Sequence, residues 1–181
     1  MALVLNGSAN TISGLAVGGL PDGCVDTDTL ADGAATQAKR TYATGEIVQT
    51  VQFTKTSGMN VDSTTWTSIL TDTAITPKYS NSLIIITTWI RFQESQSGSS
   101  HFRGRIYDVT NSSVVSGGGD YLNYINGISN NIGIFTMLGT VSASNTNARS
   151  YNVQVYEETG GALYVGPNSY TSGMIIQELK Q

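Results

Sequence analysis

Asp26, Asp28 and Asp32, closed by Gly33, are the nearest approach to a cation-binding loop in this chain. An EF-hand-type calcium loop needs an oxygen ligand where Leu30 stands, glycine where Ala31 stands and glutamate where Gln37 stands. The pattern fails at all three positions, so these acids read as turn formers or solvated charges. His101 is the single histidine, which excludes a zinc site with paired histidines and leaves one candidate base for any nucleophile relay. It follows a serine-rich segment and precedes Phe102-Arg103-Gly104-Arg105, the setting of an exposed histidine at a loop edge. Gly117-Gly118-Gly119 lacks the Lys-Ser/Thr pair and the strand-to-helix context of a phosphate cradle, and reads as a flexible connection. Glu157 and Glu158 end a strand-like run, where neighbours face opposite ways and cannot converge on one glycosidic bond. No catalytic residue, metal ligand or cofactor is expected.

Tyr121, Asn123, Tyr124 and Asn126, with Asn130 and Asn131 beyond them, combine aromatic faces with amide groups. That chemistry suits stacking on and hydrogen bonding to sugars or protein surfaces. Read as a loop between strands, the segment is a candidate contact region; its plainer reading is tyrosines that cap a sandwich and asparagines that make turns. Trp66 and Trp89 fall inside strand-like runs and read as core or subunit-interface residues. Cys24 is the one cysteine, so no internal disulfide forms and stability must come from packing or association.

What must position these residues follows from composition. Only 12% of the 181 residues are charged, against 39% apolar, with 23 Thr, 20 Ser, 13 Asn and 20 Gly. Ordinary domains are nearer a quarter charged. The apolar share is enough for one core. A net charge of −4 with nine scattered Lys and Arg offers no basic patch, so nucleic acid is not an expected partner. The longest apolar run, from Leu83 to Ile90 with two threonines inside it, falls well short of the roughly 20 residues that span a bilayer. Membrane insertion is not expected. The first residues lack the charged n-region and long apolar segment of a secretory signal, the pattern of a chain made in a cytoplasm and not exported by that route.

The period of the pattern changes near Gly45. Residues 1–45 hold seven of the 20 glycines, four of the 13 acids and one aromatic residue, Tyr42, and cannot build a core alone. Their apolar residues recur nonetheless, at Ile12, Leu15, Val17, Leu20, Val25 and Leu30, as in an arm that orders against its own copies or a larger partner. A short helix fits 28–39, weakened by Gly33. From Glu46 the period is two: strand-like runs fall at 47–53, 64–70, 82–92, 102–109, 132–141, 149–157, 162–165 and 173–179, separated by Gly, Ser and Asn clusters. With no long helical pattern between them, the expected fold is all-β: an antiparallel jelly-roll sandwich over 46–181, preceded by an extended, mostly irregular arm over 1–45. Threonine suits the wet faces of such sheets. It does not replace all the missing charge.

The order of segments resembles tailed-bacteriophage fibre-like virion structural proteins, of the tail-fibre or capsid-decoration type. The likeness is carried by Asn6-Gly-Ser-Ala-Asn-Thr-Ile-Ser-Gly-Leu15, Gly19-Leu-Pro-Asp-Gly23 and Val25-Asp-Thr-Asp-Thr-Leu-Ala-Asp-Gly-Ala-Ala-Thr36. Further on, Ile75-Thr-Pro-Lys-Tyr-Ser-Asn-Ser-Leu-Ile-Ile-Ile86, Ser150-Tyr-Asn-Val-Gln-Val155 and Met174-Ile-Ile-Gln-Glu-Leu179 extend it. The resemblance implies a homotrimer with a tumour-necrosis-factor-like jelly roll, displayed on a virion and attached to capsid or tail proteins by its arm. The residues it points to as anchors are Leu15, Val17, Leu20, Val25 and Leu30. Host-surface contact, including with glycans, then falls to Tyr121, Asn123, Tyr124 and Asn126. A capsid decoration protein that stabilises the shell and a carbohydrate-binding module are the competing readings.

Overall fold

The computed structural model describes the backbone of residues 4–6 and 11–13 and residues 40–94, 99–115, 117, 121–126, 132–158, 163–166 and 170–181. Two compact units divide the chain, Met1–Thr41 and Tyr42–Gln181. In the first, β1 (Val4–Asn6) and β2 (Thr11–Ser13) pair antiparallel. The helix expected over 28–39 and the anchoring positions Leu15, Val17, Leu20, Val25 and Leu30 lie outside the described residues.

The second unit runs β3 (Ile47–Lys55), β4 (Met59–Val61), β5 (Thr67–Ser68), β6 (Thr73–Ile75), β7 (Leu83–Glu94), β8 (Ser99–Asp108), β9 (Ser113–Val114), β10 (Tyr121–Asn126), β11 (Ile132–Ser142), β12 (Arg149–Glu157), β13 (Leu163–Val165) and β14 (Ser172–Leu179). All its pairings are antiparallel. In one sheet β7 takes β11 along one edge and β14 followed by β13 along the other, with β3 and β4 outside them. In the other, β8 lies between β12 and the rank formed by β10 and β9, and β5 and β6 flank β12. Counted as ranks along the chain, the first pairs with the last, and β5/β6 with β12, β7 with β11 and β8 with β10 nest inside that pair. This nested pairing is a hairpin rolled up into a jelly roll. The all-β antiparallel sandwich read from the sequence is the fold of the second unit.

Alternation along β7 shows why. Ile84, Ile86, Thr88 and Ile90 are buried, while Ile85, Thr87 and Trp89 between them turn outward. The core joins the inner sides of both sheets: Ile84, Ile86, Ile90, Met137, Met174 and Ile176 from one, Phe102, Ile106, Tyr151, Val153 and Val155 from the other. Phe92, Phe102 and Phe135 meet at its centre, with ring centroids 4.8 Å (Phe92–Phe102), 5.3 Å (Phe102–Phe135) and 6.0 Å (Phe92–Phe135) apart. Gly104 sits beneath them: a Cβ there would stand 2.7 Å from the Phe135 ring, so the centre of β8 is glycine because the aromatic cluster occupies that space.

Three details differ from the sequence reading. The run at 64–70 contributes only Thr67–Ser68, because the hydroxyls of Ser63 and Thr67 bond to nearby backbone (Thr65 N–H to Ser63 Oγ, Thr67 Oγ1 to Thr65 O) in place of a longer ladder. His101 is not at a loop edge; it lies half-buried within β8, which Ser99 and Ser100 extend. Tyr121–Asn126 is not loop but strand, every residue in register with β8 from Gly104 to Ser99, since Tyr, Leu and Ile outweigh the asparagines between them.

Candidate assembly surface

The outward side of the β3/β14/β7/β11 sheet is a grid fixed by register. Along β7 it carries Leu83, Ile85, Thr87, Trp89 and Arg91, which stand opposite Ser142, Thr140, Leu138, Thr136 and Ile134 of β11. Across the other edge of β7 stand Leu179, Gln177, Ile175 and Gly173 of β14, and beyond them Ile47, Thr50, Gln52 and Thr54 of β3. Among these positions Arg91 is the one ionisable side chain, and its guanidinium lies 5.0 Å from the Tyr170 ring. The Trp89 ring lies across β14 where Gly173 leaves room for it.

Large apolar side chains remain in water here. Ile134 is 50% exposed, Leu138 55% and Ile132, the next outward residue of β11, 42%. Among the described residues β11 pairs with β7 alone, leaving an edge rank of 11 residues whose outward positions include no lysine, proline or acid. Soluble monomers blunt such edges with charge or proline. Apolar residues thus stand on both sides of this strand.

At one end of the sheet a buried carboxylate fixes the chain. Glu178 of β14 is fully buried and accepts from Ser82 Oγ (2.6 Å), Gln49 Nε2 (2.6 Å), the Lys78 N–H (2.9 and 3.0 Å to its two oxygens) and the Tyr79 N–H (3.0 Å). Burial acts to raise this carboxyl; the hydrogen bonds from Ser82, Lys78, Gln49 and Tyr79 outweigh it and hold the group below the ordinary glutamate range. The segment that Glu178 pins carries Tyr79, whose ring meets that of buried Tyr42 edge-on at 6.4 Å. The Gly45 N–H donates to Lys180 O (2.8 Å) and the Lys180 N–H to Glu46 O (2.9 Å). The first residues of the second unit are thereby tied to its last strand.

The candidate contact residues fare differently. Register sets Tyr121 and Asn123 against Gly104 and Phe102, and Tyr124 and Asn126 against His101 and Ser99. Glu157 is buried while Glu158 stands outward and bonds to Arg103, as neighbouring strand residues must. Among the described residues no group of three or more His, Cys, Asp and Glu converges. The sequence reading missed Ile134, Leu138 and Glu178. The first two were detectable, since 132–138 (Ile-Gly-Ile-Phe-Thr-Met-Leu) is apolar in both phases of the alternation. Glu178 looks like any solvated acid near a terminus until the 76–82 segment folds over it.

No family model matches the sequence, and no curated protein matches it significantly. Solved structures give similarities at low identity. The structure of infectious bursal disease virus Gx strain aligns with a TM-score of 0.40 and 14% identity, over 90% of this chain and 42% of that one. T=1 particles derived from infectious bursal virus give 0.38 and 10%, over 74% and 36%. The CBM22-1 xylan-binding domain of Paenibacillus barcinonensis Xyn10C gives 0.31 and 9%, over 78% and 99%. The chain spans about two fifths of the viral chains it matches.

Proposed function

We propose that the chain is a non-enzymatic structural subunit of a bacteriophage virion, a trimeric fibre-like surface protein. Its jelly roll packs against copies of itself, and residues 1–45 attach it to capsid or tail proteins. The observation that carries this reading is the outward side of β3, β14, β7 and β11, where Ile134 and Leu138 stand half in water beside a grid with one ionisable residue. Interface cores are depleted of charge in this way. A second copy is the fitting cover, because each partner brings one ionisable side chain of the grid, Arg91, into the contact, and it lies against Tyr170. The glycine-rich, aromatic-poor composition of 1–45 supports an arm that orders against another protein, as does the resemblance carried by its segments.

Sedimentation equilibrium at micromolar concentration tests the assembly. The expected mass is three times 19.2 kDa, and a monomer overturns the proposal. Cross-links from residues 1–45 in intact particles are expected on a capsid or tail protein; a chain recovered only free of particles removes the virion assignment.

A further inference from the structure

The outward side of the other sheet uses different residues. Across β8 and β12 the register sets Arg103 opposite Tyr156, Arg105 opposite Gln154 and Tyr107 opposite Asn152. Trp66, just before β5, borders this patch: its ring meets that of Tyr156 edge-on at 4.8 Å, and the Arg105 guanidinium lies 4.0 Å from its centroid and 4.8 Å from that of Tyr107. Hydrogen bonds hold the polar members in place. Arg105 Nε donates to Gln154 Oε1 (2.8 Å); Arg103 donates to Glu158 Oε1 through Nε (2.7 Å) and pairs with it through a terminal nitrogen (2.6 Å). The Tyr156 hydroxyl donates to the same oxygen at 3.0 Å. These two bonds, from Tyr156 first and Arg103 second, hold the Glu158 carboxyl below its ordinary range. Trp66, Arg103, Arg105, Tyr107, Gln154, Tyr156 and Glu158 are all partly exposed.

We infer that this platform binds a neutral carbohydrate chain. A sugar ring offers an apolar C–H face and a rim of hydroxyls that both donate and accept. The patch supplies the counterparts: the parts of the Trp66 and Tyr107 rings left exposed beside the Arg105 guanidinium as apolar surface, Gln154 and Glu158 oxygens as acceptors, and guanidinium N–H groups as donors. Charge argues against an anionic ligand. Arg103 is paired with Glu158, Arg105 bonds to Gln154 and lies against Trp66 and Tyr107, and the chain carries a net −4, so the pull on acidic glycans or nucleic acid is weak. It argues equally against a second copy, which would have to dehydrate the Arg103–Glu158 pair and Arg105. The side chains are already fixed against one another, so little conformational freedom is lost when a ligand settles on them. This face lies on the side of the sandwich opposite the assembly surface, and the inference stands whether or not the chain is a trimer.

Affinity electrophoresis of the full chain, in native gels containing dextran, a mixed-linkage β-glucan, galactomannan or alginate, tests it. Retardation is expected in at least one neutral polymer. It falls about tenfold in Trp66→Ala and in Tyr107→Ala, as loss of one stacked ring predicts, and is unchanged in Thr146→Ala, in the exposed turn before β12. Trp89→Phe leaves Trp66 as the only tryptophan, and its emission is expected to shift when the retarding polymer is added. Should Trp66→Ala fail to fold by circular dichroism, Tyr107→Ala and the Trp66 emission decide. No retardation in any neutral gel overturns the inference, as does equal retardation of both variants or retardation by alginate alone.

Discussion

Replacing Glu178 probes how the jelly roll is locked at the end where β3, β14 and the 76–82 segment meet. Its carboxylate accepts from four donors, two of them the backbone N–H groups of Lys78 and Tyr79. Hydrogen bonds to a charged acceptor contribute about 1.5–3 kcal/mol each, and a buried donor left alone costs about 1–3 kcal/mol. Glu178→Gln keeps the volume but turns an NH2 group toward donors, leaving one or two of them unsatisfied; a loss of about 2–4 kcal/mol is expected. Glu178→Ala strands all four, and a loss of about 4 kcal/mol or more would consume much of a typical 5–15 kcal/mol. The pH dependence carries the sign. Because the folded carboxyl lies below its unfolded value of about 4.3, its contribution is fully present above that pH and disappears as pH falls through the folded value. Urea unfolding of the parent chain and Glu178→Gln, at one fixed protein concentration from pH 8 to pH 3, measures both effects. Their difference should hold constant down to about pH 5 and then shrink. A difference under about 0.5 kcal/mol at pH 7, or one that stays level to pH 3, refutes the reasoning.

Two further variants, one double and one single, test other parts of the structure. The pair Ile134→Glu and Leu138→Glu, at positions 50% and 55% exposed, is expected to leave the circular dichroism spectrum unchanged while sedimentation shows monomers; an unchanged mass removes this face as the contact. Gly104→Ala sets a methyl 2.7 Å from the Phe135 ring, and urea unfolding should show a loss of about 1–3 kcal/mol from overpacking. An increase in stability would mean that the aromatic cluster has slack.

The long strands were legible because one side of each is dry. Ile84, Ile86 and Ile90 alternate with outward residues over a span long enough for period two to stand out. Strands β4, β6 and β9 contain three, three and two residues, too few for any period to show. They exist because a neighbouring strand offers them a ladder, and that is settled by topology. β10 was concealed differently: Tyr-Leu-Asn-Tyr-Ile-Asn contains the asparagines of a loop, yet β8 presents six consecutive partners to it. The carboxylate of Glu178 was illegible for the same reason as the short strands, since three of its donors lie 96–100 residues away in sequence.

The low charge of this chain is a local property. On the β8/β12 side the outward residues include His101, Arg103, Arg105 and Glu158; on the β3/β14/β7/β11 side the register grid has only Arg91. A Thr-rich monomer in water has no reason to distribute its ions so unevenly, because both sheets would face the same solvent and the same need to avoid edge-to-edge association. A sandwich that meets water on one side and protein on the other has such a reason. The uncharged side also carries the long open edge of β11, where apolar residues stand outward without a lysine to guard them. Under the proposed assembly, copies of the same chain would cover that edge without any further gene product.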